Sequence, residues 1–427
     1  MYIFLSILAF TFIIFIHELG HLLFAKLFKV KVEVFSIGIG PSLFKIKIKE
    51  TEYRFSPIFL GGYCKLKGSE HLENEFRLNK QLEADKDSIF GISHFKKILI
   101  YFAGPLFNLI FAFIIFVAIE MIGIVYPDYS SKIVVINNSA LSKFKNGDVI
   151  LSVNNNDIKY YSDLNKFVSL KDSRMTFTVL RNGARISFEE HTSLDKLIKE
   201  IGPWVDLIIA KVKTNSSAEV AGLKPNDKII GINDVVLNNN EDLNNVTAKL
   251  DVNVVDIRYE RNGEILTSKL VFQDTNKSLG IHLLPGLDRV VKADNLGIAL
   301  KNSFNKVLNI LGNIFKSIIS LFTNFKNNSK NIVGPVGMMS IVIGSFSFGI
   351  LYWLNTIAIF SLLIAGMNLF FVIIPIFDGG QILISLIELL RGKRFNAKYI
   401  YYFYIVGILL MLSLFVLGFL NDLRNLI

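Results

Sequence analysis

Met1-Tyr2-Ile3-Phe4-Leu5-Ser6-Ile7-Leu8-Ala9-Phe10-Thr11-Phe12-Ile13-Ile14-Phe15-Ile16 carries no charge and runs directly into His17-Glu18-Leu19-Gly20-His21. The apolar run, continued to about Phe24, suits a membrane span of roughly 20 residues. On a helix, His17 and His21 lie one turn apart on one face, so both imidazoles can reach one ion. Glu18 stands beside them. This is the H-E-x-x-H pattern, in which two histidines hold Zn²⁺, the ion draws the pKa of a water toward ~7, and the carboxylate takes the proton. The bland alternative is a satisfied polar cluster. An ionisable group set within a bilayer costs about 2.5–3.5 kcal/mol, a cost rarely met without a function.

Two histidines leave a catalytic zinc one protein ligand short. His71, His94, His191 and His282 lie in polar or soluble-looking segments. Asp378 is the better candidate, because it ends an uncharged run from Asn331 to Phe377 and Asp378-Gly379-Gly380 opens a further apolar helical segment, Gln381 to Leu390. A His₂Asp site with a fourth position left to water is chemically complete. By position alone, Asp378 equally suits an ordinary helix N-cap.

His-Glu-Leu-Gly-His in the first span, with Asp-Gly-Gly far along the chain near another, resembles the site-2 protease family of intramembrane zinc metalloproteases, in its bacterial RseP type with two PDZ domains. Further matches are Gly38-Ile39-Gly40-Pro41, Gly61-Gly62-Tyr63-Cys64-Lys65, Gly104-Pro105-Leu106-Phe107-Asn108 and Gly334-Pro335-Val336-Gly337, so the resemblance covers nearly the whole chain. It implies zinc, one ion, on His17, His21 and Asp378, with Glu18 catalytic, and substrate contacts at Gly61, Gly62, Tyr63, Asn108 and Asn368. The family places an Asn eight residues before the ligand Asp. Phe370 stands there in this chain, Asn368 is ten before, and Ile373 replaces the first of the family's two intervening prolines.

With 427 residues, 52% of them hydrophobic, and a positive mean hydropathy, the composition is that of a membrane protein. The net charge of +10 sits largely in loops and beside apolar segments, which favours anionic headgroups over nucleic acid. A single cysteine, Cys64, excludes an intrachain disulfide and reads as incidental in a strand. The first segment lacks the basic start of a signal peptide, and its removal would destroy the site.

Between Lys31 and Lys67 the pattern changes to short alternating strands punctuated by glycine and proline, which predicts β-hairpins against the membrane face. By resemblance, the strand around Gly61-Gly62-Tyr63 pairs with an unwound substrate; a plain interfacial sheet is the alternative. Ser69 to Lys97 reads as a polar loop with one surface helix. Ile98 to Ile119 is a second span, in which Asn108 suits either an interhelical hydrogen bond or a place beside the site.

From Tyr126 to Pro285 an internal repeat appears. Asn146-Gly147-Asp148-Val149-Ile150-Leu151-Ser152-Val153-Asn154 returns as Pro225-Asn226-Asp227-Lys228-Ile229-Ile230-Gly231-Ile232-Asn233, and Arg181-Asn182-Gly183 as Arg261-Asn262-Gly263. Two matches at almost one period argue for two copies of one domain, and the pattern resembles PDZ domains, which capture extended segments at a sheet edge or act as a steric filter. Lys292 to Lys330 reads as an amphipathic helix on the membrane surface, with Leu300, Phe304, Leu308, Leu311, Phe315, Ile318, Ile319 and Phe322 largely on one face. Third and fourth spans cover about Phe346 to Phe371 and Tyr399 to Leu420.

The expected architecture is thus an α-helical polytopic membrane protein of four transmembrane helices with membrane-associated β-hairpins and two inserted PDZ-like α+β domains. Its parts are residues 1–125 (first membrane half), 126–199 and 200–286 (PDZ-like), 287–345 (surface helix and linker) and 346–427 (second membrane half). The resemblance implies a bacterial cytoplasmic membrane, and the basic loops predict the PDZ pair and both termini on its outer side. By the resemblance, the expected partners are single-pass membrane proteins such as anti-sigma factors, or signal-peptide remnants; the apolar spans add the bilayer. A catalytically inactive PDZ adaptor and a metal transporter are the rival readings; the transporter calls for more ionisable residues along the spans than this chain has.

Overall fold

A charge-free segment in lipid has to satisfy its backbone polar groups within itself, and a helix does so. A computed structural model of the protein describes residues 2–69, 74–75, 85–136, 143–167, 173–272, 277–346, 348–372 and 374–426. They fall into two compact units, Met1–Ile124 with Lys292–Ile427, and Val125–Val291. Most of the surface helix expected between Ser69 and Lys97 lies outside the described residues.

The first unit is built on helices α1 (Tyr2–Leu27), α2 (His94–Ile122), α3 (Leu296–Thr323), α4 (Pro335–Phe346), α5 (Ile350–Phe370), α6 (Asp378–Arg391) and α7 (Ala397–Leu426). Four of them, α1, α2, α5 and α7, are long and apolar enough to cross a membrane, since at 1.5 Å per residue about 20 residues cover the ~30 Å hydrocarbon core. α1 and α2 meet at Gly20, where any Cβ would be driven into the carbonyl of Ala103. α5 joins them through an edge-on contact of Phe360 with Phe10, 5.2 Å between ring centres, and through Ser361 Oγ, which donates to the Asn108 carbonyl at 3.0 Å.

Helix α3 has a second apolar face besides the one read from the sequence. It runs beside α2 and α5 and buries Val307, Ile314 and Ile318 against Ala112, Phe116, Ala358 and Leu362. Lys306 Nζ donates to Asn355 Oδ1 at 2.8 Å. Of the stripe expected to face the membrane surface, Leu300, Phe304, Leu308, Phe315 and Ile319 are exposed, which suits a face turned to lipid, while Ile318 is buried. Val307 and Ile314, with Ile318 at the edge of the first stripe, make the face that meets the bundle.

Strands β1 (Val32–Ile39), β2 (Phe44–Ile48), β3 (Thr51–Phe55) and β4 (Ile58–Leu66) form one mixed sheet in the order β2-β3-β1-β4 rather than separate hairpins. β2 and β3 do form a hairpin, but β1 pairs parallel with β3 and antiparallel with β4. The largely buried strand β1 takes a central position and packs Phe35 edge-on against Phe15 of α1, 6.1 Å apart. β4 is left as an edge strand, and it packs against α1.

The Val125–Val291 unit holds two sheets of the same topology. In the first, β5 (Val149–Val153), β6 (Asn156–Asp157), β7 (Ser173–Arg181) and β8 (Ala184–Thr192) are ordered β8-β7-β5-β6. In the second, β9 (Lys228–Ile232), β10 (Val235–Val236), β11 (Val254–Arg261) and β12 (Glu264–Val271) are ordered β10-β9-β11-β12, the same neighbours in each case. The repeated residues make repeated bonds. Arg181 grips Asp148 with Nε and Nη2, both at 2.7 Å, and Arg261 grips Asp227 in the same way at 2.7 Å. Asn154 Oδ1 accepts from the Thr176 N–H at 2.8 Å and Asn233 Oδ1 from the Asp256 N–H at 2.9 Å. The strand Ile201–Pro203 turns back to pair with Ile133–Val135, so the first copy keeps backbone contacts as far as Pro203.

Candidate metal centre

The spacing of His17 and His21 on α1 places their rings 4.9 Å apart, with the two Nε2 atoms 3.3 Å from each other. α6 brings in the third group. Asp378 is its first residue, after Phe377 at the N-cap, so the cap alternative does not describe it. Its Oδ2 lies 3.1 Å from His17 Nε2 and its Oδ1 3.5 Å from His21 Nε2. Among the described residues this is the one group of three or more His, Cys, Asp or Glu that can share an ion.

The donor set fits zinc. Ligand bonds of about 2.0–2.1 Å in a tetrahedral arrangement put neighbouring ligand atoms roughly 3.3 Å apart, and the three separations here are 3.1, 3.3 and 3.5 Å. Asp378 Oδ2 is buried and has no hydrogen-bond donor, an arrangement that is expensive for a carboxylate unless a cation faces it.

The far side of each ring is held as a metal ligand requires. His21 Nδ1 donates to the Ile100 carbonyl at 2.8 Å, which leaves Nε2 with its lone pair facing the cluster. His17 Nδ1 is 3.4 Å from the amide nitrogen of Asn108, while Asn108 Oδ1 has no partner. With the amide's O and N exchanged, His17 Nδ1–H donates to Oδ1 and His17 Nε2 also faces the cluster with a lone pair.

Gly104 makes room for all of this. A Cβ there would lie 2.8 Å from His17 Nε2 and closer still to His21. Glu18 is steered from the other side by β4. The Cys64 backbone hydrogen-bonds its carboxylate, and a Cβ on Gly62 would meet Glu18 Cγ at 3.4 Å and Ile14 Cγ2 at 3.1 Å.

The structure therefore gathers His17, Glu18, His21 and Asp378, with Gly62 in contact with Glu18. Asn108 is wholly buried, with its side-chain amide 3.4 Å from His17 Nδ1. Gly61 packs against Ile39, and the Tyr63 hydroxyl accepts from Arg54 at 3.4 Å. The backbone carbonyl of Asn368 lies against Gly379, next to Asp378. Ile100 and Cys64 act through backbone atoms and left no side-chain signal; Gly104 was visible only as part of a glycine-proline motif.

A protein of Borreliella burgdorferi, named "Putative zinc metalloprotease", is 61% identical over 429 residues, covering 100% of this chain and 99% of its own. One of Treponema pallidum with the same name is 26% identical, over 96% of each chain. The "Regulator of sigma E protease" of Haemophilus influenzae is 27% identical, over 97% of each chain. The profile described as "Peptidase family M50" matches residues 5–414, and the chain belongs to that family.

Proposed function

We propose that His17, His21 and Asp378 hold one zinc ion and that Glu18 is the general base of an intramembrane metalloprotease, which hydrolyses a peptide bond in or beside a substrate's transmembrane helix. The observation that carries this is the convergence of two buried histidines and the part-buried Asp378, spaced as zinc ligands, beside a carboxylate on a membrane-length helix. When bound, zinc supplies a Lewis acid that polarises a carbonyl and acidifies water.

The rest falls to the chain. Glu18, held by the Cys64 backbone, takes the proton of the attacking water and passes it to the leaving amine. Asn108 and Ile100 keep both imidazoles in the lone-pair-inward state. A substrate helix hides its carbonyls in its own hydrogen bonds, so it has to unwind, and the edge of β4 supplies replacement bonds close to Glu18. Gly61, Gly62 and Tyr63 lie on that strand.

The two repeats read as PDZ domains, in line with their shared strand order and their paired Asp–Arg clamps. They bind exposed peptide ends or exclude substrates whose outer domain is still large. The positive-inside bias puts them, and both termini, on the outer side of a bacterial cytoplasmic membrane. Substrates are single-pass proteins such as anti-sigma factors, or signal-peptide remnants; the name of the Haemophilus influenzae relative supports the first.

The test is cleavage of a tagged model transmembrane peptide by purified protein, wild type beside Glu18→Gln, with zinc measured on both. Cleavage by wild type alone, with about one zinc on each sample, supports the reading. Absence of zinc and of cleavage from both would favour an inactive adaptor.

A further inference from the structure

Residues of α6, of α7 and of the turn between them line a cavity of about 690 Å³, within the 300–1,000 Å³ range of small-molecule sites. Its walls are apolar, formed by Val372, Leu383, Ile384, Ile387, Ile400 and Phe403, while Arg391, Lys393 and Arg394 lie together in the turn that joins the two helices. Among the described residues, no acidic one lines it. The nearby acid on α6, Glu388, is buried and already engaged, accepting from the Phe395 N–H at 2.9 Å and lying 3.4 Å from His94 Nδ1. Arg394 spends one donor on the Phe90 carbonyl, and the Arg391 guanidinium stacks on Phe395 at 4.5 Å. Both Arg391 and Lys393 are exposed. The rim residues Tyr399 and Phe403 are 66% and 58% exposed on a membrane-length helix.

An apolar slot that opens beside a membrane helix and ends in a cluster of cations has the shape and polarity of a lipid. We infer that this cavity binds one anionic phospholipid, with an acyl chain between α6 and α7 and the phosphate at Arg391, Lys393 and Arg394. The sign of the charge selects the headgroup, and the apolar walls select a lipid over free phosphate. Pro375 and Gly380 also line the cavity, on either side of Asp378 in sequence, so the occupant touches the segment that carries the third candidate zinc ligand. The inference rests on membrane insertion and not on proteolysis.

The test uses the full-length protein, purified in mild detergent, stripped of lipid and titrated with phosphatidylglycerol or phosphatidylcholine of the same chains, with bound lipid counted by native mass spectrometry. One phosphatidylglycerol per chain is expected at concentrations where phosphatidylcholine is not retained, with no competition from inorganic phosphate. Arg391→Gln and Lys393→Gln should each weaken it about fivefold. Ile387→Trp, which fills the cavity, should abolish it, and Lys316→Gln on α3 should leave it unchanged. Equal retention of both lipids, an unaltered preference in the Arg391→Gln/Lys393→Gln variant, or displacement by phosphate would overturn the inference. A second measurement avoids charge variants: a photo-reactive benzoylphenylalanine in place of Phe403 should cross-link phosphatidylglycerol in mixed vesicles beyond its mole fraction. Cross-linking in simple proportion, or to an added transmembrane peptide instead, would show the cavity to be bulk-lipid surface or a substrate passage.

Discussion

Asn108 is wholly buried on α2 with its side-chain amide 3.4 Å from Nδ1 of His17. A carbonyl there fixes the tautomer of a zinc-ligating imidazole, and loss of such a partner typically lowers metal affinity 10–100-fold. Asn108→Leu should therefore bind zinc about 10–100-fold more weakly in a chelator competition, with helix content preserved. Wild-type affinity in that variant would remove Asn108 from the support of His17.

Gly104 stands where a methyl group would fall 2.8 Å from His17 Nε2. Gly104→Ala has to push α2 away from α1 or turn the imidazoles aside, and overpacking of this kind costs about 1–3 kcal/mol. The expected outcome is a lowered melting temperature together with substoichiometric zinc. A variant that retains full zinc would mean the helices can separate at no expense to the cluster.

Gly62 brings β4 against α1 at Glu18. The Cβ of a valine there would meet the Ser36 carbonyl at 2.9 Å as well as Ile14 and Glu18. Gly62→Val should hold normal zinc yet cleave a transmembrane peptide at least tenfold more slowly, since a misplaced base of about 1 Å can cost far more than that. Normal turnover would argue that β4 does not set the position of Glu18.

The 125–291 unit should show acid sensitivity of a defined sign. Burial works against the charge on Asp227, but the Arg261 clamp and the Lys224 N–H outweigh it and hold the carboxyl below its usual range. Asp163 behaves alike: burial is outweighed by the N–H groups of Tyr160 and Lys159 and by Lys166. A folded pKa below the unfolded value gives stability that is present above about pH 4 and lost as pH falls through the folded pKa. Asp227→Asn should cost about 1.5–3 kcal/mol at pH 7 and flatten the loss on acidification, read by denaturant unfolding of the full chain at pH 7 and pH 3. An undiminished slope would show that Asp227 does not contribute to it.

Much of this was legible in the sequence where a side chain acts at fixed spacing. His17 and His21 announce themselves by helical period, and Asp378 by being the first charge after a long apolar run. The repeat was visible because Asp148–Arg181 and Asp227–Arg261 return at nearly one offset, and in each copy the structure pairs them. The strand order of the first sheet was hidden, since pairing β1 with β3 in parallel is a long-range choice that alternation does not encode. The orientation of α3 was hidden for another reason. With apolar residues on two faces, period alone does not say whether Phe304 and Leu308, or Val307 and Ile314, will meet the bundle. Ile100 and Cys64 contribute backbone atoms, which any residue type carries.

His21 and Asp378 are separated in sequence by α2, both repeats, α3 and α5. A ribosome therefore releases the two histidines and the glutamate long before the aspartate that completes the donor set exists. On the proposed ligand set, the nascent chain holds only two histidines of weak metal affinity until α6 has been synthesised and docked, so that reading has hydrolytic capacity arrive at the end of biogenesis.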